Sequence, residues 1–188
     1  KYNIKNKIIL INGSGVDLNL FKFSECSYSK IPIILFPSRM LWDKGVYEFV
    51  KSGEIINRNN IKAKFILVGP YDQDNTKKVP LEYLKNLSKK KGIKWIGNTK
   101  NIAEIITKSS IIVFPSYREG FPKILQEVAA IGRVIITTNT SGCRDAVDKK
   151  TGFLVEIKDY DEIVNIINNL LNNYDLIKSM GKNARLKA

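Results

Sequence analysis

Short apolar runs alternate with amphipathic stretches along most of the chain. The clearest run, Ile111–Phe114, is continuously apolar and is followed by Pro115, as expected of a central parallel strand that is buried on both faces. Runs of the same kind predict strands over residues 7–11, 31–36, 64–68, 93–96, 134–138 and 151–155.

Between these runs, apolar residues recur at the spacing of helices. In the best example, Leu125 and Val128 share one stripe, Pro122 falls at the first helical position and Gly132 closes the helix. Further helices are predicted over residues 43–58 with Asp43 as N-cap, 81–92, 101–108, 159–171 and 175–187, and a glycine-containing loop over 139–145. This alternation predicts an α/β fold: a doubly wound parallel sheet with helices on both faces.

The stretch 111–131 contains a buried strand, a short polar loop and a helix. In open α/β sheets, anionic ligands bind where the carboxyl end of a strand faces the N-terminus of the next helix. We therefore expect a ligand that contains phosphate at this edge.

Two carboxylates lie in the same stretch. Glu119 is in the loop, and Glu127 is about five residues into the helix, roughly 7 to 8 Å along its axis. Ionised carboxylates only accept hydrogen bonds, so hydroxyl groups are suitable partners. A nucleotide sugar, with a central diphosphate and a diol at each end, would fit. The spacing leaves open that Glu119 is a solvated loop charge and Glu127 a surface helix charge.

Arg39 and Lys44 flank another predicted turn from strand to helix. The arginine fork suits paired phosphate oxygens, and lysine adds a point charge. Without further context, such a pair is more often two ordinary surface charges.

The sequence from Glu119 to Glu127 resembles the motif of two glutamates separated by seven residues in retaining glycosyltransferases of the GT-B type. It is most similar to family 4, whose members build bacterial polysaccharides and glycolipids. Pro115-Ser116 upstream, Gly132-Arg133 downstream and the Arg39 to Gly45 segment follow the family's order. The resemblance covers nearly the whole chain.

This resemblance implies the Rossmann-like C-terminal half of a GT-B fold. Residues 1–30 would connect to an N-terminal, acceptor-binding domain, and residues 31–188 would bind the donor. The implied catalytic residues are Arg39, Lys44 and Glu119. The implied donor-binding residues are Gly13, Asn98, Thr99, Gly120, Phe121, Pro122, Lys123 and Glu127.

The family's chemistry assigns a role to each group. Arg39, Lys44 and the backbone N–H groups of residues 120–123 would stabilise the leaving diphosphate. Glu119 would hold hydroxyls of the transferred sugar, and Glu127 the ribose diol. Asn98 and Thr99 would approach the nucleobase, although an ordinary turn explains them equally well. Uridine is the first choice of base, with guanosine and adenosine open, and no metal or cofactor is expected.

Composition bears mainly on partners and location. The 188 residues carry a net charge of +13, which favours anionic partners, and either background composition or a membrane-facing basic patch explains it. Cys26 and Cys143 form no metal or redox motif, and histidine is absent. We expect a cytoplasmic protein, either free or peripheral to the inner face of the membrane. The start at Lys1, without a signal-peptide pattern, indicates a fragment.

The expected function is transfer of a hexosyl or N-acetylhexosaminyl group from a nucleotide diphosphate sugar to a polysaccharide or lipid-linked acceptor. The fragment alone should be inactive. Alternatives are half of a sugar-nucleotide epimerase and a non-enzymatic binder of nucleic acid or anionic membranes, although no basic stripe interleaved with aromatic residues supports nucleic acid. A dinucleotide-binding domain is disfavoured, because Leu18 stands where a third glycine would be needed.

Overall fold

A computed structural model describes residues 13–27 and 29–188. Its six strands form one parallel sheet in the order β3-β2-β1-β4-β5-β6. The strands are β1 (Ile33–Pro37), β2 (Lys64–Val68), β3 (Ile93–Trp95), β4 (Ile111–Phe114), β5 (Val134–Thr138) and β6 (Gly152–Val155). The doubly wound parallel sheet is confirmed. The strand predicted at residues 7–11 lies outside the described residues.

Seven α-helices connect or follow the strands of the described chain. They are α1 (Val46–Arg58), α2 (Leu81–Asn86), α3 (Ile102–Thr107), α4 (Lys123–Ile131), α5 (Ser141–Ala146), α6 (Tyr160–Asn172) and α7 (Tyr174–Lys187). Single 3₁₀ turns cover Trp42–Lys44 and Leu87–Lys89.

Two apolar cores cover the two faces of the sheet. Ile111 and Val113 pack into a cluster with α1 and α6, whereas Ile112 and Phe114 pack into a cluster with α4. Successive residues of a strand point to opposite faces, so a strand covered on both sides must be apolar throughout. This explains the continuous hydrophobic runs in the sequence.

Three local predictions were wrong. Asp43 does not cap α1, because it lies in a 3₁₀ turn and the N-cap is Gly45 in the left-handed conformation, with φ of 83°. Pro122 precedes α4 as its N-cap and is not its first residue. Residues 139–145 are not simply a loop, because α5 begins at Ser141. The residues of α5 include Gly142 and several polar side chains, which favour turns, so its sequence resembles a loop.

Part of the segment preceding β1 packs against the helices. The backbone N–H of Ser24 donates to the Ile131 carbonyl over 3.0 Å, and the Arg185 guanidinium donates to the Phe21 carbonyl over 3.2 Å. Arg133 is fully buried and donates to the backbone carbonyls of Ser24 and Ser109. A boundary between linker and domain at residue 30 stays a prediction.

Candidate functional site

The site lies at the carboxyl ends of β1 and β4, where the strand order of the sheet reverses direction. Here the loop after β1 brings Lys44 to the loop after β4, which carries Glu119. Lys44 Nζ lies 2.6 Å from Glu119 Oε1, and the two side chains are only 14% and 16% exposed. The buried Ser116 hydroxyl donates to the same Oε1 over 2.8 Å. Glu119 is therefore a mostly buried, paired carboxylate and not a solvated loop charge.

The backbones of the two loops touch directly. The Tyr117 N–H donates to the Asp43 carbonyl over 2.9 Å. A Cβ placed on Gly45 would lie 2.3 Å from the Pro115 carbonyl oxygen. Only glycine fits there, both for this contact and for the positive φ. Gly45 thus determines how closely Lys44 can approach the Glu119 loop.

Helices and strands behind the Glu119 loop hold it from the other side. The Thr138 hydroxyl at the end of β5 donates to the Ser116 carbonyl. A Cβ on Gly142 in α5 would lie 1.7 Å from the Gly120 carbonyl oxygen. Sequence reasoning missed Ser116, Thr138 and Gly142 as supports of the site. In the sequence they appear only as small or hydroxyl-bearing residues at or after the end of a strand. Such a pattern does not show which residue each of them contacts.

Arg39 lies in a neighbouring cleft. Its side chain is 53% exposed, and Nη1 lies 3.4 Å from Asp72 Oδ2. The cleft has a volume of about 210 Å³ and lies at the carboxyl ends of β1 and β2, with Ile124 from the first turn of α4 in its wall. Asn98 and Thr99 line the same cleft, so the structure brings the nucleobase candidates together with Arg39. Lys44, Glu119 and Glu127 do not line it.

Glu127 lies in the second turn of α4, with its side chain only 13% exposed. Its nearest cation is Lys123, whose Nζ lies 3.9 Å from Oε1. Burial raises the pKa of the Glu127 carboxyl, and the Lys123 charge lowers it by a smaller amount. The surface-charge interpretation of Glu127 was therefore wrong. A buried carboxylate of this kind is stabilised by hydrogen-bond donors.

The remaining candidates surround the start of α4. Pro122 is the N-cap and provides no side-chain hydrogen bond, Gly120 is exposed and Lys123 points outward with 65% exposure. Gly13 adopts φ of 75°, and a Cβ there would lie 2.6 Å from the Phe121 ring. The Gly13 turn is thus packed against the residue that precedes Pro122.

A further carboxylate, in addition to Glu119 and Glu127, lies behind the Glu119 loop. Glu48 of α1 is 2% exposed and accepts a hydrogen bond from the Tyr117 hydroxyl over 2.7 Å. Burial, together with Glu48, raises the pKa of the Tyr117 hydroxyl above its usual range. This bond joins the site loop to the helix that follows Lys44.

Residues 13–27 and 29–188 contain no cluster of three or more His, Cys, Asp and Glu side chains placed to hold a metal ion. None of their helices is long and apolar enough to cross a membrane.

The glycosyl transferases group 1 family matches residues 19–187, nearly the whole chain. The chain belongs to this family. It is 31% identical to the N,N'-diacetylbacillosaminyl-diphospho-undecaprenol alpha-1,3-N-acetylgalactosaminyltransferase of Campylobacter jejuni, over 96% of the chain and 49% of that protein. This group 1 chain thus spans about half the length of that curated relative.

Solved structures show the same fold. Sucrose-phosphate synthase from Thermosynechococcus elongatus superposes with a TM-score of 0.81 at 22% identity, over 94% of this chain and 46% of that one. Anabaena Alr3699/HepE in complex with UDP-glucose superposes with a TM-score of 0.78 at 20% identity, over 92% and 50% of the two chains. At these identities the likeness confirms the Rossmann-like architecture of the group 1 chain.

Proposed function

We propose that this chain is the donor-binding part of a retaining glycosyltransferase that uses a nucleotide diphosphate sugar, with a UDP-sugar first among the candidates. The observation that carries the proposal is the buried Lys44–Glu119 pair beside the Arg39 cleft. Two cations and a carboxylate thus lie in neighbouring loops on the ligand edge of the sheet, which a helix N-terminus also faces. The UDP-glucose complex of the Anabaena structure supports this choice of ligand.

In the proposed complex, the nucleotide occupies the Arg39 cleft, with its base beside Asn98 and Thr99. Arg39 and Lys44 pair with oxygens of the diphosphate. When the bond between the sugar and the diphosphate breaks, the growing negative charge is stabilised by these cations. The N–H groups of residues 120–123 add partial positive charge. The proposed chemistry uses no metal or cofactor.

The two carboxylates take the hydroxyl groups of the donor. Glu119 accepts from the transferred sugar, and the Ser116 hydroxyl keeps its carboxylate oriented in the free state. Glu127 accepts from the ribose diol, which supplies the donors that its buried carboxylate needs. In the free chain, Lys44 and Glu119 neutralise each other, and the incoming donor provides a new partner for each.

The acceptor lies outside the described chain in this proposal. Relatives named for transfer to diphospho-undecaprenol sugars support a lipid-linked or polysaccharide acceptor and a hexosyl or N-acetylhexosaminyl donor. An N-terminal domain would bind the acceptor, so the chain alone should bind donor without transferring it. Such a reaction would take place in the cytoplasm or at the cytoplasmic face of the membrane.

Calorimetry with UDP and UDP-sugars tests the proposal. Arg39→Ala and Glu127→Ala should each weaken binding about tenfold or more, since each removes a hydrogen bond to or from a charged group. Arg118→Ala, an exposed arginine in the Glu119 loop, and Glu82→Ala, an exposed glutamate in α2, are matched controls that should bind normally. Unchanged binding in both site variants would remove the site assignment.

A further inference from the structure

A concentrated positive charge lies away from the donor site. Residues 54–64 and 85–94 contain eight lysines and arginines and one glutamate, a net charge of +7 out of +13 for the whole chain. We call this set the basic surface: Arg58, Lys62, Lys64, Lys85, Lys89, Lys90, Lys91 and Lys94. More than half of the net charge therefore comes from about a ninth of the residues.

The fold places both segments at the amino ends of β2 and β3. The first runs from the last turns of α1 into β2, and the second runs from the end of α2 into β3. Three clefts that share lining residues join them: Lys91 lines two of these clefts, and so do Lys64 and Lys90. The donor site lies at the opposite ends of the strands, about 17 Å away for a five-residue strand. The basic surface therefore cannot serve the donor diphosphate.

Most of these cations have no carboxylate partner. Among the described residues, the one ion pair within the basic surface joins Lys90 to Glu54. Elsewhere in the described chain, some lysines are paired with carboxylates, such as Lys44 and Lys108. Unpaired lysines also occur there, but they are scattered, whereas seven of the eight cations of the basic surface lie together without a carboxylate partner. The basic surface is therefore complementary in charge to an anionic partner.

Apolar side chains border the same clefts. Ile31, 43% exposed, lies in a cleft with Lys62 and Lys64, and Ile96, 39% exposed, lies at the far end of the cleft that runs from Lys94 along β3 to its carboxyl end. Basic residues beside exposed aliphatic groups suit the headgroup region of an anionic bilayer. Proteins that bind single-stranded nucleic acid add aromatic rings for base stacking. Among the residues that the structure describes, no aromatic side chain except the buried Phe65 lines these three clefts.

We propose that the basic surface binds an anionic lipid bilayer. Binding to a bilayer goes beyond the proposed function. It rests on that function only for its biological role, because a lipid-linked acceptor would be presented at that bilayer. The donor site would then open at the sheet edge that faces away from the basic surface.

Sedimentation with lipid vesicles tests the proposal. The patch variant changes Lys62, Lys89, Lys91 and Lys94 to Gln, leaving the Lys90–Glu54 pair intact. The control variant makes the same charge change at four exposed lysines elsewhere: Lys22, Lys100, Lys149 and Lys150. Vesicles of equal parts phosphatidylcholine and phosphatidylglycerol should bind the unchanged chain and the control. They should bind the patch variant about tenfold or more weakly.

Three outcomes would overturn the proposal. The first is equal binding of the unchanged chain to these vesicles and to pure phosphatidylcholine. The second is an equal loss of binding in both variants, which would indicate net charge alone. Binding to duplex DNA with loss in the patch variant, and no binding to vesicles, would indicate nucleic acid instead. Calorimetry with UDP-sugar on the patch variant should be unchanged. If the unchanged chain failed to bind UDP-sugar, that result would count against the proposed function and would leave the vesicle result unaffected.

Discussion

Replacing Lys44 with Met tests the pair at the centre of the site. The change removes the charge and keeps an aliphatic chain of similar length, so Glu119 would keep the Ser116 hydroxyl as a donor and lose its cation. Breaking a fully buried ion pair costs about 3 to 5 kcal/mol. Because both side chains retain a small exposed fraction, we expect a loss of about 2 to 3 kcal/mol in the free energy of unfolding.

Urea unfolding followed by tryptophan fluorescence measures this loss, since Trp42 is two residues from Lys44. Lys108→Met is the control, because Lys108 and Glu104 form an exposed pair and its removal should leave the free energy of unfolding nearly unchanged. The double change Lys44→Met with Glu119→Gln should recover part of the loss. If Lys44→Met costs no more than the control, the reasoning about this pair is refuted.

Three further predictions concern the surroundings of the pair. Because burial raises the pKa of Glu127, stability should fall as pH rises from the ordinary carboxyl pKa through the raised value. Glu127→Gln should therefore stabilise the chain at neutral pH while weakening donor binding. Gly142→Ala should cost about 3 kcal/mol and displace the Glu119 loop, because its Cβ would overlap the Gly120 carbonyl. Tyr117→Phe should cost about 1 to 3 kcal/mol by leaving Glu48 without this donor.

Each of these predictions has a clear contrary result. Equal pH dependence of unfolding in Glu127→Gln and the unchanged chain would show that burial does not penalise this carboxylate. Gly120→Ala is the control for Gly142→Ala, since a Cβ at Gly120 would meet no described residue within 4 Å beyond its chain neighbours. Equal thermal stability of the two variants would contradict the close packing at Gly142. For Tyr117→Phe, an unfolding free energy equal to that of Tyr47→Phe, at an exposed tyrosine of α1, would contradict the buried bond.

The sheet was predictable because its strands obey strong local rules. β2, β4 and β5 have the predicted bounds, since central strands buried on both faces consist largely of apolar residues. The end of α4 at Gly132 was predictable for a similar reason. That glycine adopts φ of 86°, a conformation that other residues rarely adopt.

The supports of the site were not predictable, because they depend on contacts between distant segments. Gly142 and Gly120 are 22 residues apart, yet they touch. Lys44 and Glu119 are 75 residues apart, and no local pattern indicates that they pair. Asp43 resembled an N-cap in sequence, but its backbone hydrogen bond to Tyr117 belongs to the packing of two loops. Such partners follow from the sheet topology, which the local sequence does not encode.

A crystal structure of the chain with a UDP-sugar would test the central claim most directly. Our proposal predicts the diphosphate beside Arg39 and Lys44 at the start of α4, with a sugar hydroxyl on Glu119 and the ribose on Glu127. A donor bound at the amino ends of the strands, among the lysines of the basic surface, would contradict it.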